Sequence, residues 1–407
     1  MRAAKGMVET MSLMIRKTIT DQDRQINLHK NGNAVFACTF ASGELTCEVY
    51  YDFDPRPLTL RGNYALGEEL RLVLLPYRLE LYVGETLWDE EWPKGNLLAD
   101  AEAFRFAGFT VEDYLPSHEE PPAVLGEISS AEGWKPGETV FVGDCMPYRR
   151  GEEYHVLYLK DRHHHTSKWG MGAHQWEHIS TTDLKTWQIH PTAVAIDHPH
   201  EGSVCTGSHI AYGGREYLFY TIRKGGGEAA PIARSISEDG YHFRKDHTFG
   251  FTLSHRYLAH VARDPKVIRD SEGTFHMFLT TALREEGKGC LAHFVSSNLN
   301  EWQDTGTPIY IGEDGEQPEC PDYICYRGRY YLIFSLHGKA HYRYSNHPFH
   351  GWQTPGDDRI PCASVPKGAL WEDKILFAGY SAPPGCYGGT MTFRFATAHE
   401  NGELIFL

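Results

Sequence analysis

The sequence predicts an all-β protein, a five-bladed β-propeller preceded by an N-terminal β-sandwich-like domain. Two repeats in phase support the propeller. A unit of strand, tight polar turn and aromatic-rich strand begins at 144, 208, 264, 320 and 365. Between these units an aromatic residue follows a turn residue by four positions, at intervals of 56, 59 and 50 residues: Trp187, Phe243, Trp302 and Trp352. A period near 50 with short alternating strands is typical of four-stranded propeller blades.

The length of 407 residues favours two domains. A stretch rich in Pro, Glu, Ser and Gly, LPSHEEPPAVLGEISSAEGWKPGE, separates them. We therefore expect an accessory domain over 1–115, a linker over 116–137 and a propeller over 138–407. Strand-like runs in the first part indicate a sandwich: AVFACTF, LTCEVYYDF, LRLVLLPYRLELYVG and FRFAGFTV. At the other end, TMTFRFATA and GELIFL are expected to complete the last blade.

Composition limits the partners. The net charge of −15 argues against nucleic acid or an anionic membrane, since both require a positive surface. The nine cysteines are odd in number and form no CxxC pair, which is typical of reduced thiols. The first twenty residues hold no signal-peptide apolar stretch and no later segment reaches membrane-spanning length. We expect a cytoplasmic protein, and a homo-oligomer remains compatible with the sequence.

Three acids stand where the first strand of a blade begins: Asp144 in VGDCMPY, Asp264 in ARDPKV and Glu319 in PECPDY. In a propeller these positions face one mouth of the central channel, so the three side chains should converge. Burying three carboxylates together costs several kcal/mol unless they are paired. A carboxylate pair beside a scissile glycosidic bond is the usual arrangement for glycoside hydrolysis. Isolated solvated loop acids are the alternative for each residue taken alone.

A second group of residues could bind sugar. Trp169, His174, Trp176 and His178 could form a stacking wall, although packing inside a blade explains the two tryptophans equally well. The run at 163–165 is three histidines, which we interpret as a polar rim because adjacent loop side chains point apart. We expect neither a metal nor a cofactor.

Ordered motifs over about 138–407 resemble glycoside hydrolase family 32, the invertase, inulinase and levanase group. VGDCMPYRRGEEYHVLY is similar to the family's nucleophile strand, usually Trp-Met-Asn-Asp-Pro-Asn-Gly. KWGMGAHQWEHISTTDLKTW is similar to its Trp-Gly, His-Trp-Gly-His, Ser-x-Asp-Leu and Trp series. VCTGSHI resembles its Ser-Gly-Ser segment, and the Arg-Asp-Pro and Glu-Cys-Pro-Asp motifs are present as ARDPKV and PECPD.

The resemblance implies a retaining mechanism that uses no metal. It makes Asp144 the nucleophile, Glu319 the general acid/base and Asp264 the transition-state stabiliser. Arg263 would lie beside Asp264, where its planar guanidinium suits both carboxylates and hydroxyl-rich ligands. The matching motif positions add three candidate substrate-binding residues: Lys160, Thr206 and Ser208.

Departures from the family pattern fall where the first sugar would bind. Gly143 replaces the usual Asn before the nucleophile, and the family's Gln after the second strand is here Leu159 or Lys160. Lost amides change which hydroxyls a site can hold. Three hypotheses remain. The first is a β-fructosidase acting on terminal residues of sucrose or short fructo-oligosaccharides; the second is a five-bladed hydrolase of arabinofuranosides or another furanoside; the third is a non-catalytic sugar-binding protein.

Overall fold

The structure is a computed structural model that describes residues 12–75, 77–93, 95–114, 124–125, 133–167, 172–197, 201–224, 231–361 and 364–407. The chain divides into two compact units. The first comprises Met1–His118, Thr166–Ala173 and Ile196–Glu201, and the second comprises Glu119–His165, His174–Ala195 and Gly202–Leu407. The domain limits 1–115, 116–137 and 138–407 stay a prediction.

The first unit contains two antiparallel sheets that share one apolar core, as a sandwich does. The strands of the first sheet lie in the order 86–91, 79–83, 69–74, 13–18 and 110–113, and those of the second in the order 25–30, 33–41, 44–49 and 58–63. Leu and Val side chains alternate with polar ones along these strands, so one face of each sheet is buried. The strands are β1 (Leu13–Thr18), β2 (Gln25–Lys30), β3 (Asn33–Ala41), β4 (Glu44–Val49), β5 (Leu58–Asn63), β6 (Glu69–Leu74), β7 (Leu79–Val83), β8 (Thr86–Glu91) and β9 (Thr110–Asp113).

The run FRFAGFTV is a strand only from Thr110 onwards, which corrects the sequence prediction. Its first half belongs to the helix α1 (Ala101–Phe106). Asp100 caps this helix, because its carboxylate accepts a hydrogen bond from the Ala103 N–H at 2.9 Å. Among the described residues, no helix has the length and apolar character needed to span a bilayer.

The described residues of the second unit form five antiparallel sheets, the blades of the propeller. Blade one contains β10 (Val124–Leu125), β11 (Phe141–Arg150), β12 (Glu153–Asp161), β13 (Gln175–Thr181) and β14 (Trp187–Val194). Blade two contains β15 (Glu201–Tyr212), β16 (Arg215–Lys224), β17 (Ile232–Ser237) and β18 (Arg244–Lys245). Blade three contains β19 (Arg263–Arg269), β20 (Phe275–Ala282), β21 (Gly289–Ser296), β22 (Gln303–Asp304) and β23 (Tyr310–Ile311).

Blade four contains β24 (Glu319–Tyr326), β25 (Arg329–Leu336) and β26 (Lys339–Ser345). Blade five contains β27 (Ser364–Trp371), β28 (Lys374–Ser381), β29 (Thr390–Ala398) and β30 (Leu404–Phe406), so TMTFRFATA and GELIFL complete it as expected. Blades one and five lie side by side and close the ring. Blades one and five share an apolar core, and backbone bridges join Val142 to Gly389 and Trp134 to Met391.

The second sequence repeat is a turn of one type. In blade one, the Thr181 hydroxyl accepts the N–H groups of the second and third residues after it, at 3.2 and 2.9 Å. Asp183 then accepts two further N–H groups at 2.8 and 2.7 Å. Ser237 with Asp239, and Ser296 with Asn298, form the same turn in blades two and three. These side chains satisfy the turn backbone, which explains the regular spacing in sequence.

Candidate active site

The candidate site lies where the innermost strands of the blades begin. In four blades the pairing of the first two strands shifts register at this point, as at a β-bulge. A bulge bends the strand and re-aims its side chains. Asp264, Cys320 and Val365 lie in these irregularities with φ of 56, 52 and 48°, left-handed values that are uncommon for residues other than glycine.

A cavity of about 330 Å³ opens among these strands, and Asp144, Asp264 and Glu319 all line it. The side chains of Asp144 and Asp264 are almost completely buried, whereas that of Glu319 remains 46% exposed. The cavity therefore holds two enclosed carboxylates and one that water can reach. The separation expected between the Asp144 and Glu319 carboxyls, roughly 5 to 6 Å for a retaining enzyme, stays a prediction.

The Asp144 carboxylate is held through both of its oxygens. Oδ1 accepts a hydrogen bond from the Tyr387 hydroxyl at 3.1 Å. Oδ2 accepts hydrogen bonds from the Thr206 hydroxyl and, at 3.4 Å, from the Cys320 thiol. Three donors from three different blades thus fix the orientation of one carboxylate.

Asp264 and Glu319 are connected through Arg263. The guanidinium donates to Glu319 Oε1 at 2.7 Å, and its Nε lies 3.7 Å from Asp264 Oδ2. Burial raises the pKa of Asp264; Arg263 opposes this shift, and the charges of Asp144 and Glu319 add to it. The Cys320 thiol lies 3.4 Å from Asp264 Oδ2 as well, so it contacts both buried aspartates.

One lysine opposes the negative charge beside the cavity: Lys367 offsets part of the rise that burial causes in the pKa of Asp264. Lys367 is 2% exposed, and its ammonium donates to the Gly207 carbonyl at 3.0 Å. Burial lowers the pKa of Lys367, and the nearby acidic groups oppose that shift. Lys266 pairs with Asp322 at 2.5 Å. The three residues follow the Pro of DPKV, CPD and VPK, a repeated signal that could have identified them in the sequence.

The structure brings some of the predicted binding residues to the cavity. His174, Thr206 and Arg263 line it with the acids. The remaining predicted residues do not line it, or lie outside the described part of the chain in the case of Trp169. Leu159, rather than Lys160, faces the cavity, because successive residues of a strand point to opposite sides.

The predicted residues away from the cavity have structural contacts. Lys160 forms an ion pair with Glu177 at 3.3 Å. Trp176 is fully buried and donates its indole N–H to the Cys205 carbonyl at 3.0 Å, so it packs inside the propeller. Ser208 donates to the Pro265 carbonyl at 2.9 Å and joins blades two and three. Substrate contact by these three side chains is not supported by the geometry.

Further polar residues that line the cavity include His165, Arg223, Tyr380 and Tyr387. His165 belongs to the histidine run, so one member of the predicted polar rim does reach the cavity. His174 is oriented by Asp161, whose carboxylate lies 2.9 Å from His174 Nε2. Its ring stacks on that of Tyr387 with centroids 4.8 Å apart. No repeat in the sequence singles out Tyr387 or Arg223.

A cluster of buried histidines lies apart from this cavity. His155, His178 and His190 could each offer a ligand atom to a metal, and those atoms lie within 4.8 Å of one another. The ring nitrogens of His155 and His178 already face each other at 2.8 Å. An equivalent contact recurs between the second and third strands of blade three, where ring nitrogens of His276 and His293 lie 2.8 Å apart. The recurrence favours hydrogen-bonded packing within blades over a metal site.

The free energy of unfolding is expected to fall when the protein is acidified from pH 6.5 to about 4. Burial lowers the pKa of His155 to about 4 and that of His293 to about 4, whereas histidine in an unfolded chain titrates near 6.5. Between these values the unfolded state binds more protons, so this stability is complete above pH 6.5 and is lost as the pH falls through the window. Urea unfolding over this range measures it.

Variants give that experiment its control. His293→Phe should flatten the dependence between pH 6.5 and 4, because it removes one buried imidazole. His247→Ala removes an exposed imidazole of the same unit and should leave the slope unchanged. A wild-type stability that stayed constant over this range would contradict the account of the buried histidines.

The comparison with known families decides where the chain belongs. A sequence profile of the glycosyl hydrolases family 32 N-terminal domain matches residues 146–357, slightly more than half of the chain. The chain belongs to glycosyl hydrolases family 32. Asp264 and Glu319 lie inside the matched segment, and Asp144 lies two residues before it.

Curated relatives of this family 32 chain include sucrose-6-phosphate hydrolases. That of Bacillus subtilis is 33% identical over 207 residues, which cover 47% of this chain and 42% of the relative. That of Zymomonas mobilis is 28% identical over 213 residues, covering 48% and 40%. The alignments thus span less than half the length of these relatives.

Solved structures share the fold. Sucrose-6-phosphate hydrolase from Lactobacillus gasseri aligns with a TM-score of 0.55 and 14% identity, covering 66% of this chain and 62% of the other. Fructan 1-exohydrolase IIa from Cichorium intybus, in complex with 1-kestose, aligns with a TM-score of 0.56 and 14% identity, covering 68% and 59%. At this identity the likeness concerns the fold alone.

Proposed function

We propose that the protein is a retaining glycoside hydrolase that releases terminal β-fructofuranosyl residues from sucrose or short fructo-oligosaccharides. The observation that carries the proposal is the convergence of Asp144, Asp264 and Glu319 on one cavity in a family 32 chain. Three clustered acids have little structural value, since burying them is costly. Asp144 is enclosed, which suits a nucleophile, whereas Glu319 is partly exposed to water, which suits a general acid/base.

Asp144 is the nucleophile in this proposal. Its carboxylate is enclosed and fixed by Tyr387, Thr206 and Cys320, so little reorganisation is needed when it attacks the anomeric carbon. Attack forms a covalent bond between a carboxylate oxygen and the anomeric carbon as the bond to the leaving oxygen breaks. The electron pair of the broken bond leaves with that oxygen.

Glu319 is the general acid and then the general base. Its partly exposed side chain can meet both a leaving group and water, which an enclosed carboxylate cannot. As an acid it gives its proton to the leaving oxygen. As a base it then takes a proton from the water that attacks the anomeric carbon and releases Asp144. Asp264, held beside Arg263, would accept hydrogen bonds from sugar hydroxyls as positive charge develops on the ring.

A different furanoside is the second candidate. Gly143 and Leu159 stand where the family pattern has amide side chains, and Leu159 presents an apolar surface to the cavity. A site that lacks those amides holds a different set of hydroxyls, so an arabinofuranoside remains a rival substrate. A non-catalytic sugar-binding role is the third candidate, and retention of all three acids counts against it.

A phosphorylated disaccharide also fits one observation. Arg223 is exposed and lines the cavity, where a guanidinium could bind a phosphate through two hydrogen bonds. The curated relatives are named sucrose-6-phosphate hydrolases. Sucrose 6-phosphate therefore belongs among the substrates to be compared.

The substrate class is tested with purified protein and a panel of sucrose, sucrose 6-phosphate, kestose, inulin, levan and nitrophenyl furanosides. We expect fructose to be released, and to be released fastest from substrates that carry a terminal β-fructofuranosyl group. Arg223→Gln should raise KM for sucrose 6-phosphate more than for sucrose if the phosphate binds there. Turnover of arabinofuranosides alone would replace the leading proposal with the second one, and binding without turnover would leave the third.

A further inference from the structure

Tyr387 reaches the cavity from the loop between β28 and β29 of blade five. Its hydroxyl donates to Asp144 Oδ1 at 3.1 Å and accepts the Asp144 backbone N–H at 3.3 Å. One hydroxyl therefore contacts both the main chain and the carboxylate of Asp144. Burial, followed by the charge of Asp144, raises the pKa of Tyr387 far above its usual value, which keeps the hydroxyl protonated as a donor.

The Tyr387 ring occupies space that a side chain at position 143 would need. A Cβ added to Gly143 would lie 2.4 Å from the Tyr387 hydroxyl oxygen and 2.9 Å from two ring carbons. Such distances are far inside van der Waals contact, so Tyr387 fits only because residue 143 is glycine. Gly143, which stands where the family usually has Asn, therefore leaves free the space that Tyr387 occupies.

The segment that carries Tyr387 is held firmly against blade one. Gly389 and Val142 exchange two backbone hydrogen bonds, both 2.9 Å long. Gly389 follows Tyr387 by two residues, and Val142 directly precedes Gly143. A Cβ at Gly389 would lie 1.8 Å from the Ser381 carbonyl oxygen at the end of β28, so the close approach of these two segments of blade five requires glycine at 389. His164 Nδ1 lies 2.9 Å from the Tyr387 carbonyl oxygen. The hydroxyl is thus positioned by backbone pairing between blades one and five.

We propose that Tyr387 is a positioning residue that aligns the Asp144 carboxylate for attack, and that it occupies the space that a side chain at position 143 would need. This inference rests on the proposed role of Asp144 as nucleophile. A carboxylate with a fixed orientation is already close to its attacking geometry, so the benefit appears in the first chemical step. It does not depend on which leaving group departs.

The test is Tyr387→Phe, which removes the hydroxyl and keeps the ring. We expect kcat/KM to fall by about ten- to hundredfold, by the same factor for leaving groups of high and low pKa, because a charge-assisted hydrogen bond is lost. Crystal structures of wild type and variant should show one Asp144 carboxylate orientation with the hydroxyl and a rotated or divided one without it. Tyr331→Phe is the matched control and should leave kcat/KM unchanged, since the buried Tyr331 hydroxyl of blade four donates to the Gly402 carbonyl of blade five and does not line the cavity.

A double-mutant cycle separates positioning from general disruption. Gly143→Ala alone should displace the hydroxyl and slow glycosylation about as much as Tyr387→Phe does. When the hydroxyl is already absent, adding Gly143→Ala should cost clearly less, so the two effects should not add. Undiminished activity and an unmoved Asp144 carboxylate in Tyr387→Phe would overturn the inference. An inactive wild type would instead count against the proposed function, and the crystallographic comparison would still decide the role of Tyr387.

Discussion

Asp144→Ala is expected to abolish formation of the glycosyl-enzyme and to lower kcat/KM on the order of 10⁴- to 10⁶-fold. The nucleophile takes part in bond formation with every substrate, so the loss should be uniform across leaving groups. The three donors around the carboxylate cannot replace it, because they stabilise a charge that the variant lacks. Steady-state rates on sucrose and on nitrophenyl β-fructofuranoside measure the effect.

Asp183→Ala is the control for this variant. It removes an aspartate of the same blade whose carboxylate only caps a surface turn. Its activity per folded molecule should equal that of wild type. If Asp144→Ala retained its activity, the cavity would not be the active site.

Glu319→Ala is expected to separate substrates by their leaving groups. Leaving groups of high pKa need a proton and should lose about 10³- to 10⁴-fold in rate. A leaving group of low pKa should keep much of its first-step rate, after which the intermediate accumulates because no base activates water. Azide should then speed turnover, since it attacks the intermediate without general-base assistance. The measurement is a series of substituted phenyl β-fructofuranosides with and without azide.

Glu316→Ala supplies the matched control, because that exposed side chain precedes the same strand. It should show neither the leaving-group dependence nor the response to azide. A loss in Glu319→Ala that is equal for all leaving groups, together with a graded loss in Asp144→Ala, would mean that the two roles are reversed.

The sequence predicted the blades because each blade repeats local features. Turn residues such as Asp183 and Asp239 bind their own backbone, so their spacing can be read without knowledge of distant contacts. The positions of Asp144, Asp264 and Glu319 followed from the same repeat, because each stands where the first strand of a blade begins. Ring closure by side-by-side packing of blades one and five could not be read in this way, because it depends on contacts between the two ends of the propeller.

The wall of the cavity was harder to predict because it combines residues far apart in the chain. Tyr387 contacts Asp144 from 243 residues away and belongs to no repeat. Trp176 has the same chemistry whether it stacks on sugar or packs in a blade, and only its burial decides. The choice between Leu159 and Lys160 depended on a one-residue register, which reverses the face on which a side chain lies.

Peptide mapping of the covalent intermediate tests the central claim most directly. Glu319→Ala incubated with an activated β-fructofuranoside should accumulate a glycosyl-enzyme, and mass spectrometry after proteolysis should find the fructosyl group on the peptide that contains Asp144. That result would establish both the retaining mechanism and the nucleophile. A label on any other residue, or steady turnover with no covalent intermediate and with inversion at the anomeric carbon, would contradict the account.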